Sequence, residues 1–183
     1  MAFRSRTTHV FAGQGRDQPS SAPAGYSLGL LLLRMMLGII MVTHGTQKLF
    51  GWFDGAGIDG TAQYFKQAGY PAPKAMSVIA GLSESLGGAG LFLGLLTPLA
   101  AAAVLGTMVN ALGVTWEGGF LLPSGVEFTL LVAVSAAALA LTGPGAYAVD
   151  HYLPVLRAHR VAYGVAAIAL ALVVGAIFLL IRD

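Results

Sequence analysis

Five apolar stretches, at about 28–50, 75–96, 98–116, 125–142 and 161–181, take up most of this 183-residue chain. Each holds about 18 to 23 residues, enough to cross a hydrocarbon layer of roughly 30 Å as a helix. In lipid the backbone must satisfy its own hydrogen bonds, so helices are the economical solution, and lone glycines and prolines are tolerated within them. Only 10% of the residues are charged, against about 25% in an ordinary soluble domain. The expected fold is therefore an all-α membrane protein of one domain.

The segments between the stretches set the path. Residues 1–27 are polar and carry Arg4, Arg6 and Arg16. No apolar run follows those arginines closely enough for a cleaved signal peptide, so a flexible tail is expected. The second and third stretches meet at Gly94-Leu95-Leu96-Thr97-Pro98, where Thr97 is a good N-cap and Pro98 suits a first helical position. That junction predicts an antiparallel pair. The longer link at 51–74 contains a short candidate helix at 61–68, closed by Gly69 and Pro71, whose Tyr64 and Phe65 place it at the membrane interface.

With the N-terminal side called A and the opposite side B, side A collects Arg4, Arg6, Arg16, Arg157 and Arg160. Side B collects Lys48, Lys66, Lys74 and Arg182. The positive-inside rule counts basic residues alone, and by that narrow majority side A is expected in the cytoplasm. A net charge of +2, spread along the chain, gives no footprint for nucleic acid. The chain has no cysteine, which excludes a disulfide, an iron–sulfur cluster, a thiol–quinone relay and a persulfide carrier within it.

Ionisable side chains inside a membrane are costly and mark function by default. Lys48 lies near the side-B boundary, with His44 roughly 9 Å below it and Glu84 roughly 14 Å from side B. Asn110 falls at about the depth of His44, with Trp116 and Glu117 at the same mouth, and Glu127 opens the fourth stretch there. Four helices thus direct polar groups into the side-B half. Glu84 at mid-membrane must be protonated, paired or wet. A His44–Glu84 hydrogen bond is expected in preference to an Arg34–Glu84 pair. Arg34, about 9 Å from side A, either snorkels to water or supplies a counter-charge.

Each of these residues has a structural reading as well. Glu84 could bridge helices as a neutral acid, and Ser77, Gly81 and Ser85 beside it form a stripe for close helix packing. Glu117 and Glu127 suit a solvated mouth, and Trp52 and Trp116 suit interface anchors. One buried histidine cannot ligate a haem from both faces, and His151 and His159 lie in the side-A loop, so no haem is expected. No metal site is read from the sequence. The fifth stretch carries Tyr163 as its single polar side chain and reads as a peripheral helix facing lipid or a partner.

Five separated motifs occur in order: RMMLGIIMVTHGTQKLFGWF at 34–53, GTA at 60–62, AGLSESLGG at 80–88, GLLTP at 94–98 and GPG at 143–145. Together they resemble the DoxX family of bacterial inner-membrane proteins, over about residues 28–153. The resemblance implies a four-helix transmembrane bundle, to which this chain adds its tail (1–27) and a loop with a fifth transmembrane helix (154–183). It also implies association with oxidoreductases, including thiosulfate:quinone chemistry and oxidative-stress complexes. The positions that match the family pattern are Arg34, His44, Gly45, Lys48, Gly51 and Glu84.

Three functions follow. The first is a subunit of a quinone-linked oxidoreductase, with His44 and Glu84 as candidate catalytic groups and Arg34, Lys48, Asn110, Trp116 and Glu127 as candidate substrate contacts. A quinone carbonyl needs a hydrogen-bond donor and a proton source in an apolar pocket. Quinone is the one cofactor expected, without haem, iron–sulfur cluster or nucleotide, and its electrons would come from bound substrate or a redox partner protein. The second is a non-catalytic anchor or assembly factor, and the third a proton-coupled or small-molecule carrier. Whether the chain is an enzyme, and whether it forms a homo-oligomer, stays open at this point.

Overall fold

The computed structural model describes residues 24–121, 125–154, 156 and 159–182. The expected tail over residues 1–23, with Arg4, Arg6 and Arg16, lies outside the described residues, as do Arg157 and Asp183. The described chain is helical throughout, with helices α1 (Ala24–Phe50), α2 (Gly57–Gln67), α3 (Pro73–Leu93), α4 (Thr97–Thr115), α5 (Glu127–Thr142) and α6 (Val161–Leu180). Short 3-10 turns follow α4 at Trp116–Gly118 and precede α6 at Val149–Tyr152. The protein is a multi-pass membrane protein: α1, α3, α4 with its 3-10 extension, and α6 are each apolar and long enough to span a bilayer.

Helix α5 has 16 residues, about 24 Å, and falls short of a full span by length alone. Its end contacts show that it nevertheless runs from one side to the other. At its start, Glu127 N–H donates to Phe120 O at 3.0 Å, beside the end of α4. At its other end His159 Nε2 lies 3.0 Å from Leu141 O, next to the start of α6. Arg182 then donates to Gly113 O at 3.3 Å, returning the chain to the side-B end of α4. The expected alternation of sides therefore holds.

Local sequence explains the ends. Gly69 (φ +83°) and Gly94 (φ +67°) each close a Schellman motif, because a left-handed residue is required where the helix reverses. In the first, Tyr70 N–H donates to Phe65 O at 3.0 Å while the two rings stack edge-on at 5.2 Å. In the second, Leu95 N–H donates to Gly90 O at 2.8 Å. The helix of the 51–74 link spans Gly57–Gln67, starting four residues before the expected 61 and ending one before the expected 68, with Gly69 closing it as expected.

One cap differs from expectation. Thr97 is the first helical residue of α4, Pro98 the second, and Leu96, at φ +49°, is the N-cap. The cap comes from elsewhere in the chain: the Asp150 carboxylate accepts from Leu96 N–H at 2.7 Å, Thr97 N–H at 3.0 Å and the Thr97 hydroxyl at 2.9 Å. A carboxylate at a helix N-terminus satisfies open amides and complements the helix dipole, which a leucine at that position cannot do.

Helices α1, α3, α4 and α5 form the bundle, with Met41, Leu91, Val104 and Leu139 fully buried among them. The stripe at Ser77, Gly81 and Ser85 packs against α1. A side chain at Gly45 would put its Cβ 2.5 Å from Ser85 N and 2.7 Å from Gly81 O. One at Gly88 would lie 2.8 Å from Gly38 O. The two backbones are thus as close as glycine allows. Helix α6 lies outside the bundle against α4 and α5, with most of its large residues exposed to the surroundings.

Candidate functional site

The close α1–α3 seam decides where the charges meet. Gly45 lets α3 approach, which brings Glu84, one residue before Ser85, against the next turn of α1. Lys48 Nζ donates to Glu84 Oε2 at 2.6 Å. The lysine side chain is 27% exposed and the glutamate 5%, so the carboxylate is the buried partner and the ammonium reaches down to it. This pair replaces the expected His44–Glu84 hydrogen bond. Lys48 follows His44 by one turn on the same face, and its four-carbon arm spans the depth that the short imidazole cannot. In a low-dielectric setting a charge-assisted contact is the stronger choice. The His44 ring instead rests against Phe128, with centroids 5.7 Å apart.

The pair faces a cavity of about 640 Å³ lined by all six helices. Its polar members include His44, Lys48, Glu84, Asn110 and Tyr70, and its apolar walls include Met41, Met108 and Phe128. A space of this size in a mostly apolar setting, with a few converging polar groups, is the usual form of a small-molecule site. Helix α2 lies over the side-B end through Thr61, Tyr64 and Phe65.

The sequence candidates divide between the cavity and other places. His44, Lys48, Glu84 and Asn110 share it. Trp116 is 66% exposed in the 3-10 turn, and Glu127 is half-buried at the first turn of α5; neither lines the cavity. Arg34 is 2% exposed, so it does not snorkel, and Glu84 pairs with Lys48 instead of with it. Its guanidinium donates to Phe92 O at 2.7 Å and Leu91 O at 3.3 Å, and also to Tyr147 O. Leu91 and Phe92 lie in the last turn of α3, where a cation suits the helix dipole, and Tyr147 lies in the loop after α5.

Two residues were not singled out in the sequence. Asp150, 3% exposed, holds the α3–α4 turn from the α4 side as Arg34 holds it from the α3 side. The available signal was a lone acid in a side-A loop otherwise free of carboxylates. Tyr70 donates to Asn110 Oδ1 at 3.0 Å, while Asn110 Nδ2 donates to Gly106 O at 3.1 Å and Gly175 O at 3.2 Å. Burial pushes the Tyr70 phenol above its ordinary range and nearby Arg182 opposes this, so the phenol keeps its donor proton at neutral pH. Asn110 is thereby committed to protein partners and holds α4, α6 and the α2–α3 link together. Among the described residues no three histidine or acidic side chains converge as a metal site.

Residues 29–118, from α1 through the 3-10 turn after α4, match the DoxX family model. A Bacillus subtilis protein named "Putative oxidoreductase CatD" is 31% identical over 129 residues, 70% of this chain and 89% of its own. The chain belongs to the DoxX family. The Escherichia coli inner membrane proteins YphA and YqjF are also 31% identical, over 128 and 144 residues, covering 87% and 92% of their lengths. No solved structure matches the chain. The cavity's ion pair and Asn110 all fall within the DoxX match, whereas α5, Asp150 and α6 lie beyond it.

Proposed function

We propose that this DoxX protein is the quinone-binding membrane subunit of an oxidoreductase system in a bacterial inner membrane, with side A in the cytoplasm. The observation that carries this reading is the Lys48–Glu84 pair facing a large apolar cavity at mid-membrane. Quinone reduction takes up two electrons and two protons. In this reading the Lys48 ammonium hydrogen-bonds one quinone carbonyl and passes it a proton as the two electrons arrive, with the Glu84 carboxylate holding the lysine in place, and the second oxygen takes its proton from water at the side-B mouth. Lys48 is reprotonated from the same mouth, and His44 lines the path. The chain has no cysteine, so electrons come from a bound sulfur-type donor or a partner protein. The oxidoreductase name of CatD supports this class, and the inner-membrane names of YphA and YqjF support the location.

The test uses the full chain in lipid nanodiscs with a photoreactive azidoquinone. Labelling is expected on the α1 and α3 turns around Lys48 and Glu84, competed by decyl-benzoquinone and lost in Lys48→Met. Labelling that decyl-benzoquinone does not displace would overturn the reading.

A further inference from the structure

Helix α6 lies beyond the family match, yet it forms part of the cavity wall. It is docked by a stripe of small residues, Gly164, Ala167, Ala171 and Gly175, all buried. A Cβ at Gly175 would come 2.9 Å from Val109 Cγ1 and 3.4 Å from Gly106 O, so α6 packs closely on α4 there, and Asn110 pins the same turn. Beside that stripe, Leu170, Val174 and Phe178 recur every four residues and border the cavity. The α4 lining mixes small residues such as Ala103 and Gly106 with Met108, and the α3 lining includes Ser83. Measured from the side-B helix ends, Leu170 lies about 15 Å deep, Glu84 about 16 Å and Phe178 about 3 Å. One large residue is therefore level with the ion pair and another stands at the mouth.

We propose that α6 is the specificity wall of this cavity, with Leu170 and Phe178 setting the bulk of the lipid-soluble ligand that reaches Lys48 and Glu84. The small stripe suffices to dock the helix, so the large residues beside it are free to set the cavity's width. The proposal rests on reading the cavity as a ligand site, and it holds whether or not the ligand is a quinone.

The cysteine-free chain makes the test direct. Ser83→Cys places a single thiol on the cavity wall one residue from Glu84, and its reaction rate is measured in nanodiscs with N-ethylmaleimide and with bulky N-pyrenylmaleimide. Adding Phe178→Ala or Leu170→Ala is expected to raise the pyrenyl rate about tenfold while leaving the ethyl rate nearly unchanged, because truncating a large side chain opens its volume. Val173→Ala, on the outward face of α6, is the control and is expected to change neither rate. An unchanged pyrenyl rate in both wall variants, or an equal rise in the control, overturns the proposal. These variants leave the docking stripe intact, whereas deleting α6 would disturb the fold. Maleimide addition needs no electron donor, so a failed quinone experiment does not affect this one.

Discussion

Asp150 accepts from the Thr97 backbone N–H at 3.0 Å and from its hydroxyl at 2.9 Å, so a side-A loop caps a helix that starts 53 residues earlier. Replacing Asp150 with asparagine removes the charge and one acceptor from three donors, all in a buried setting. The expected cost is about 1–3 kcal/mol, the range for hydrogen bonds to a charged group. Unfolding in mixed micelles measures it. Thr97→Val, which removes the hydroxyl contact alone, is expected to cost less. Equal losses in the two variants would contradict a capping role.

Arg34 acts on the other side of the same turn. Lysine in its place keeps the charge but loses the planar fork that reaches Phe92 O and Tyr147 O together. Arg34→Lys is therefore expected to lower stability by about 1.5–3 kcal/mol. Because Arg34 lies away from the cavity, azidoquinone labelling should stay at the native level. Loss of labelling in a folded Arg34→Lys protein would give this residue a part in ligand binding.

Two glycines of α1 should respond in opposite directions. A Cβ at Gly45 meets Ser85 N at 2.5 Å and Gly81 O at 2.7 Å, backbone atoms that cannot turn aside. Gly45→Ala is expected to destabilise by about 1–3 kcal/mol through overpacking. A Cβ at Gly29 meets nothing within 4 Å, so Gly29→Ala should stabilise by about 0.5–1 kcal/mol through helix propensity. Unfolding midpoints of the two variants decide it, and a stabilising Gly45→Ala would remove the close seam from this account.

Much of this architecture was legible because lipid allows few alternatives. The helices, the sharp α3–α4 turn at Gly94 and the interfacial α2 all follow from hydropathy and glycine or proline placement. The stripe at Ser77, Gly81 and Ser85 marked a close approach, although it did not name α1 as the partner. Depth brought His44, Lys48, Glu84 and Asn110 to the side-B half, but depth does not contain azimuth. That is why the expected His44–Glu84 bond gave way to Lys48–Glu84, and why Trp116 and Glu127, at the right height, do not line the cavity. Arg34 and Asp150 were hidden for another reason. Most of their partners are backbone groups at the facing ends of α3 and α4, and no sequence spacing reports a contact such as that between Asp150 and Thr97.

The Lys48–Glu84 pair separates catalysis from packing. Lys48→Met leaves a carboxyl group that is 5% exposed without its cation, and the expected loss is about 3–5 kcal/mol. Glu84→Gln should cost less, about 1–2 kcal/mol, because the lysine is 27% exposed and its long arm can extend to water. The double variant Lys48→Met/Glu84→Gln has no unpaired charge and should recover to within about 1 kcal/mol of the native protein. Azidoquinone labelling is expected to fail in the double variant despite that recovery. If the stable double variant still takes the label and the decyl-benzoquinone competitor still displaces it, the ion pair serves helix packing. Helix assembly alone would then explain a charge pair in the middle of the membrane.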